Sequence, residues 1–332
     1  EISLDTFSKE CDVIVHLAAL NRHNDNKVIY DTNVNLVKKL ITSCSKNNSC
    51  GNIIFTSSSQ EDNDSSYGKS KKDGRILFSN WAEKYNKNFT GLIIPNVFGP
   101  FGMPYYNSVI STFSHQLINN ETPQIHVDKN LKLIYVGNLI DIIIKNINNK
   151  NLGKEYKIPY TIEKKVSEIS KILSNFKTDY LANNSIPKLQ SSFELNLFNS
   201  FRSHIDNKNY FPVEYKNHTD ERGNFVELIK LGCGGQFSFS TTKQGVVRGN
   251  HFHTRKIERF SVVKGKALIQ MRKINTNEII EFNLDGANPS YVDIPIWYTH
   301  NIKNIGNDML YTNFWINEIY NPVDADTYFE NV

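Results

Sequence analysis

The chain has 332 residues, of which 39% are hydrophobic and 22% charged, with a formal charge of +4. That is the balance of an ordinary folded protein with room for two domains, and the small charge does not cluster with aromatic residues as in a nucleic-acid binder. No apolar run reaches the roughly 20 residues that a membrane span needs, and the opening EISLDTFSKE has neither the basic end nor the apolar centre of a secretion signal. It opens without an initiator Met, as a fragment or a processed product does. The four cysteines, Cys11, Cys44, Cys50 and Cys233, form no CxxC pair and no regular framework, which fits a reducing cytoplasm.

Taken in chain order, 12-DVIVHLAA-19 is a nearly continuous apolar run, the pattern of a strand buried on both faces. Helical spacing follows over 28–46, a second buried strand at 52-NIIFTSSS-59, a helix near 66–86, a strand at 90-TGLIIPNVFG-99 and a helix near 107–119. Strand and helix alternating in this way predict a parallel α/β sheet. The stretch 160–213 is polar and mixed, with helical segments near 166–176 and 190–203. From about 214 short β-rich runs recur, at 224–230, 259–274, 278–284 and 290–296, separated by Gly, Asn and Pro turns. They predict an all-β barrel or jelly roll. The expected division is therefore 1–205, a linker at 206–213, and 214–332. There is no internal repeat.

Tyr67 and Lys71 are four apart on a predicted helix, so their side chains share a face. An ammonium beside a phenol favours phenolate, and a tuned tyrosine can exchange a proton with a sugar hydroxyl or ketone while hydride moves at the same carbon. Taken alone, the pair reads more readily as an ordinary surface helix, since Tyr and Lys are common in this chain. The context is more specific, because 55-FTSSSQ-60 ends a buried strand, where parallel sheets present reactive side chains.

In order and spacing, 16-HLAA-19, 33-NVNL-36, 57-SSS-59, 67-YGKSK-71 and 95-PNVFGP-100 resemble the extended short-chain dehydrogenase/reductase family, whose members act on nucleotide sugars. The resemblance covers about 1–205 and implies a Rossmann-like domain using NADPH. It implies Ser58, Tyr67 and Lys71 as the catalytic set, with Ser57 as a fallback for Ser58. Leu17, Ala18 and Ala19 would line the cofactor cleft with Lys71, Asn33 would support Lys71, and Asn96 would contact the substrate diphosphate. Three departures stand out. No Gly-rich, pyrophosphate-seating turn precedes residue 12, so the domain reads as lacking its first βαβ; 232-GCGG-235 lies in the β-rich half with no helix after it. The family's late Asp pair is replaced by 136-VGN-138, and the serine-to-tyrosine loop is short.

The second half carries Gly245-x5-His251-x-His253-x4-Glu258-x6-Gly265, and His300 follows in 295-PIWYTHNIKN-304. Side chains alternate along a strand, so His251 and His253 share a face. Three imidazoles and a carboxylate suit a divalent cation such as Zn²⁺, and suit iron as well. The two-part motif resembles that of the cupin fold, except that Trp297 stands where that family places a glycine. The stretch 220-DERGNFVE-227 resembles one in sugar-nucleotide cupin epimerases, and reads equally as a turn and a strand.

From about residue 10 to the closing 326-DTYFENV-332, the chain as a whole resembles the bifunctional capsular-polysaccharide enzymes of the UDP-N-acetyl-L-fucosamine pathway. That resemblance implies C3 epimerisation of a UDP-linked 4-keto-6-deoxy sugar by the cupin, NADPH-dependent C4 reduction by the first domain, and a homodimer. The acid and base of the epimerase step are left open among Tyr298, Arg248 and Lys256. Three other readings compete. The barrel can be a metal-stabilised assembly module beside an inert first domain, or regulate a dehydratase or 4-epimerase that uses Glu61 and Asp62, or oxidise its substrate with iron.

Overall fold

The computed structural model describes residues 2–47, 51–148, 152–221, 223–226 and 228–332. Its contacts divide the chain into two compact units, one made of 1–99, 103–112 and 125–168, the other of 100–102, 113–124 and 169–332.

The first unit is built on a parallel sheet of Val13–His16, Asn52–Ser58, Asn88–Ile94 and Tyr156–Lys157, in that spatial order. Its central strand explains the continuous apolar run. Ile53 and Phe55 point to a cluster with Val37 and Leu40 of the helix Asn26–Asn47 and with Phe78 and Trp81 of the helix Ser66–Tyr85. Ile54, one residue out of phase, packs on the other face with Leu92, Ile134 and Leu139. Both faces are covered, so both phases of the strand are apolar.

The strand expected over 90–99 divides at Pro95. Asn88–Ile94 stays in the main sheet, whereas Asn96–Phe98 runs parallel to Asn130–Tyr135 in a smaller one. Proline has no N–H to give to a ladder, and the chain changes sheets there. The run 134-IYVGNLIDIII-144 holds the end of the strand Asn130–Tyr135 and most of the helix Val136–Asn148.

The second unit contains two five-stranded antiparallel sheets. One is ordered Gln236–Thr242, Leu310–Ile316, Glu258–Lys264, Ser290–Ile294, Val213–Glu214; the other Ile279–Asp285, Lys266–Lys273, Tyr298–Asn304, Val247–Phe252, Tyr328–Phe329. In Lys266–Lys273 the alternate residues Ala267, Ile269 and Met271 are fully buried, among Val262, Val292, Phe282 and Ile302. This is the period-two pattern of a sheet with one face on a core.

The compact units do not part at 206–213, where the sequence changes texture. Ile169, Leu173 and Phe176, one face of the helix Val166–Phe176, are buried, and Phe176 lies edge-on to Phe198 of the helix Ser192–Arg202. Polar groups fasten this layer to the barrel. The Tyr180 hydroxyl donates to Asp293 at 2.6 Å, Asp293 is ion-paired with Arg259, and Arg202 donates to the Ile294 carbonyl. An amphipathic helix announces its apolar face in sequence but not which sheet that face will cover, and here it covers the barrel.

Candidate metal centre and reductase site

The four residues singled out in the barrel converge. One ligand atom from each of His251, His253, Glu258 and His300 lies within 4.8 Å of all the others. A β-bulge sets them up, because the pairing of Val247–Phe252 with Tyr298–Asn304 slips between Gly249 and His251. Gly249 and Asn250 both take positive φ, +107° and +61°. The extra residue re-aims the strand, so that His251 pairs with His300 and their rings lie 4.5 Å apart.

The ring nitrogens are arranged by the backbone. Nδ1 of His253 donates to the Asp326 carbonyl at 2.5 Å, and Nδ1 of His300 to the Tyr298 carbonyl at 3.2 Å. A carbonyl only accepts, so each Nδ1 carries a proton and each Nε2 is turned to the centre. Nε2 of His253 is 3.0 Å from Glu258 Oε2; Nε2 of His300, 3.2 Å from the same oxygen, is buried without a hydrogen bond. Burial, and then His300, hold His251 down at about 4, so its imidazole is neutral near pH 7. Burial alone would raise Glu258, but the imidazoles of His253 and His300 hold it well below the usual carboxylate range. Burial would depress His253 too, yet the Glu258 carboxylate outweighs it and raises that imidazole. The set is a carboxylate, a neutral imidazole and a lone pair with no partner, with His253, Glu258 and His300 buried and His251 half-buried, and it fits a divalent cation of the zinc or iron type.

Trp297 holds a conformation that suits glycine, with φ +63°. Its ring stacks on Phe252, which in turn stacks on Tyr328, and the Trp297 backbone N–H donates to the His253 carbonyl at 2.8 Å. The three acid/base candidates are each engaged. Lys256 bonds the Ala325 carbonyl, Tyr298 shares a hydrogen bond with Asn207, and Arg248 donates weakly to the Thr241 carbonyl at 3.5 Å. The ribbon of Asn217–Asp220 with Gly223–Val226 carries the stretch at 220, whereas Arg222 and Glu227 lie outside the described residues.

In the first unit, Ser65 caps the helix that carries Tyr67 and Lys71 by accepting from the Gly68 N–H at 3.0 Å. A Cβ on Gly68 would stand 2.1 Å from the Gln60 carbonyl oxygen, so the glycine lets the helix start against the preceding turn. Lys71 is 3% exposed, 4.3 Å from the centre of the Phe55 ring. Burial lowers its pKa to about 8, against the pull of Glu61. The tyrosine does not behave as its spacing from Lys71 suggested. Burial, and then Tyr106, raise the Tyr67 phenol, and Lys71 is not among the influences on it.

The structure separates the adjacent serines. Ser57 is buried and donates its hydroxyl to Glu61, which Arg75 grips with Nη2 at 2.7 Å and Nε at 2.9 Å. Ser58, half-buried at the end of Asn52–Ser58, caps the short turn Ser59–Asp62 through the Gln60 N–H. Asn33 does not reach Lys71. It clasps the backbone of Leu20 at both N (2.6 Å) and O (3.0 Å) and donates to Ser70, whose hydroxyl returns to the Tyr67 carbonyl. It thereby braces the segment of Leu17, Ala18 and Ala19, of which Leu17 is 64% exposed and Ala18 exposed. Asn96 is exposed and donates to the Lys132 carbonyl. These exposed apolar residues and Ser58 sit at the carboxyl end of adjacent parallel strands, where such sheets receive ligands, and they fit one wall of a nicotinamide cleft. Sequence reasoning missed the Glu61–Arg75 pair and the Asn33 clasp, because both depend on partners in other elements.

Fold and sites together define a short-chain-reductase-like α/β unit joined in one chain to a cupin-like barrel with a candidate cation site. The family model described as "NAD dependent epimerase/dehydratase family" matches residues 2–159, and that described as "Polysaccharide biosynthesis C-terminal domain" matches 218–328. The structure of the capsular polysaccharide assembling protein CapF from Staphylococcus aureus is 34% identical, covers 100% of this chain and 90% of that one, and superposes with a TM-score of 0.61. CapF with the inhibitor 3-isopropenyl-tropolone is 31% identical over the same shares, at a TM-score of 0.58. The UDP-2-acetamido-2,6-beta-L-arabino-hexul-4-ose reductase of Pseudomonas aeruginosa is 29% identical over 330 residues, 98% of this chain and 88% of that protein. The chain belongs to the CapF family of capsular polysaccharide assembling proteins.

Proposed function

We propose that the chain is a bifunctional nucleotide-sugar enzyme of capsule or O-antigen precursor synthesis. Its barrel, 214–332, epimerises C3 of a UDP-linked 4-keto-6-deoxy-N-acetylhexosamine. Its first domain, 1–205, joined through 206–213, then reduces C4 with NADPH to UDP-2-acetamido-2,6-dideoxy-L-talose, in the UDP-N-acetyl-L-fucosamine pathway. The observation that carries the reading is the convergence of His251, His253, Glu258 and His300 in the barrel. The name of the Pseudomonas aeruginosa relative, a reductase of a UDP-linked ketosugar, supports it. We further propose a cytoplasmic homodimer; among the described residues no helix is long and apolar enough to cross a membrane.

The order of steps follows from carbonyl chemistry. A C4 ketone acidifies the C3 proton, so a base removes it and reprotonation on the opposite face inverts C3. Once C4 is an alcohol that acidity is gone, so epimerisation precedes reduction. The four barrel residues would hold Zn²⁺, which when bound supplies positive charge to an enolate oxygen. In the first domain Leu17, Ala18 and Ala19 would line the NADPH cleft with Lys71, and Asn96 would contact the diphosphate. Ser58 would hold the C4 oxygen by a hydrogen bond, Tyr67 would give it a proton, and Lys71 would complete the catalytic set. The Glu61–Arg75 pair argues against the dehydratase reading, because a carboxylate so gripped is unavailable as a general acid.

The test is solvent exchange. Purified chain loaded with Zn²⁺ and given the 4-keto sugar in D₂O should incorporate deuterium at C3 without added NADPH. Zinc uptake with no exchange would leave the barrel an assembly module and end the epimerase reading.

A further inference from the structure

The loop between His253 and Glu258 is organised by a residue 73 positions beyond His253. The carboxylate of Asp326 accepts from three consecutive backbone amides, Thr254 (3.0 Å), Arg255 (3.0 Å) and Lys256 (2.9 Å), and from the Thr254 hydroxyl at 2.6 Å. Successive amides turned onto one anion form a nest, and here the anion belongs to the protein. The main chain of the same residue takes the Nδ1 proton of His253. One residue therefore grips the ligand loop with its side chain and a ligand ring with its carbonyl.

Asp326 is 4% exposed and sits at φ +41°, a region that L-residues enter at a cost of about 1 kcal/mol. Several contacts hold it there. Arg255 bridges Glu318 and Asp324, and the Lys256 ammonium bonds the Ala325 carbonyl. Tyr328 and Phe329 pair antiparallel with Phe252 and His251, and the Thr299 hydroxyl donates to the Glu330 carbonyl. The segment 324–330 is thus woven into the sheet that carries two of the four candidate ligands.

We propose that Asp326 is a positioning residue of the cation site of His251, His253, Glu258 and His300. Its carbonyl fixes the tautomer and tilt of the His253 ring, and its carboxylate sets how far Glu258 stands from His253. The inference rests on the reading of those four residues as a metal site. It differs from a loop staple in what it moves. A staple contributes only to the melting of the barrel, whereas a positioning residue changes the affinity and electronic spectrum of the bound ion.

The experiment uses the full chain, Zn²⁺ competed against a chromophoric chelator, and Co²⁺ as an absorbing substitute. Asp326→Ala should weaken Zn²⁺ binding by about 10–100-fold and alter the Co²⁺ bands. Asp326→Asn keeps one acceptor oxygen and should lose less; Thr254→Val, which removes a single hydroxyl, should lose least. Circular dichroism and melting of the metal-free proteins are read alongside. Variants that melt lower yet bind Zn²⁺ with wild-type affinity and an unchanged Co²⁺ spectrum would reduce Asp326 to a staple and overturn the proposal. Should Asp326→Ala not fold, Asp326→Asn and Thr254→Val decide by the same readouts. A wild-type chain that takes up neither ion overturns the metal centre itself, an outcome seen before any variant is made.

Discussion

Lys71 shows how a single side chain couples stability to chemistry. With its pKa brought from 10.5 to about 8 by burial, the fold disfavours the protonated form. The sign follows from proton counting: between about pH 8 and 10.5 the unfolded chain binds more protons at this site than the folded one. Stability therefore rises with pH across that window, and the full cost of the buried charge is present below it. Lys71→Met should stabilise the first unit at pH 7 by on the order of 3 kcal/mol, a gain that shrinks between about pH 8 and 10.5 and is lost above that window. Denaturant unfolding at pH 7, 9 and 10.5 checks it; a gain independent of pH would assign the effect to packing. The sequence set Tyr67 and Lys71 on one helix face by their spacing and placed Ser58 ahead of Ser57 by resemblance alone. It gave no sign that Ser57 is engaged by Glu61, held by an arginine 14 residues further on, because no local pattern records such a pair.

At the level of the element, the bulge in Val247–Phe252 decides whether the barrel has a site at all. Alternation predicted that His251 and His253 share a face. It could not foresee the slip before them, because register is set by the partner strand. A Cβ on Gly249 would lie 2.8 Å from the His300 carbonyl oxygen and 2.9 Å from the Asn301 Cα, at φ +107°. Gly249→Ala should therefore destabilise the barrel by about 2 kcal/mol or more and cut Zn²⁺ uptake, since the clash falls on the backbone of a ligand. Gly245→Ala is the control. Its φ is +73° with nothing within 4 Å of the added carbon, so only the conformational cost of about 1 kcal/mol applies. Melting curves and zinc stoichiometry of the two variants separate strain from clash. The division of the strand at Pro95 was open to reading by the same logic, since proline cannot continue a ladder.

Across the whole molecule, the proposed pairing of two chemistries on one carbon skeleton predicts separable lesions. Tyr67→Phe should lower reduction of the ketosugar by about 100-fold or more while C3 deuterium exchange continues. His251→Ala should do the reverse, ending exchange and sparing reduction of a ketone already inverted at C3. Proton NMR of the sugar in D₂O and loss of NADPH absorbance read the two steps independently. A Tyr67→Phe chain that no longer exchanges would mean that the steps are not separable. The two textures, α/β then β, were plain from the sequence. The extent of each compact unit was not, because burial of the helices over 169–202 is decided by side chains such as Tyr180 and Arg202 that find partners on distant strands. The stack of Trp297 on Phe252 and Tyr328 has a practical use. Trp81 and Trp315 are 4% and 1% exposed, so water hardly reaches their indoles, whereas Trp297 is half-buried beside the ligand loop. Its fluorescence should therefore shift on ion loading, a gauge built into the chain that needs neither sugar nor nucleotide in the cuvette.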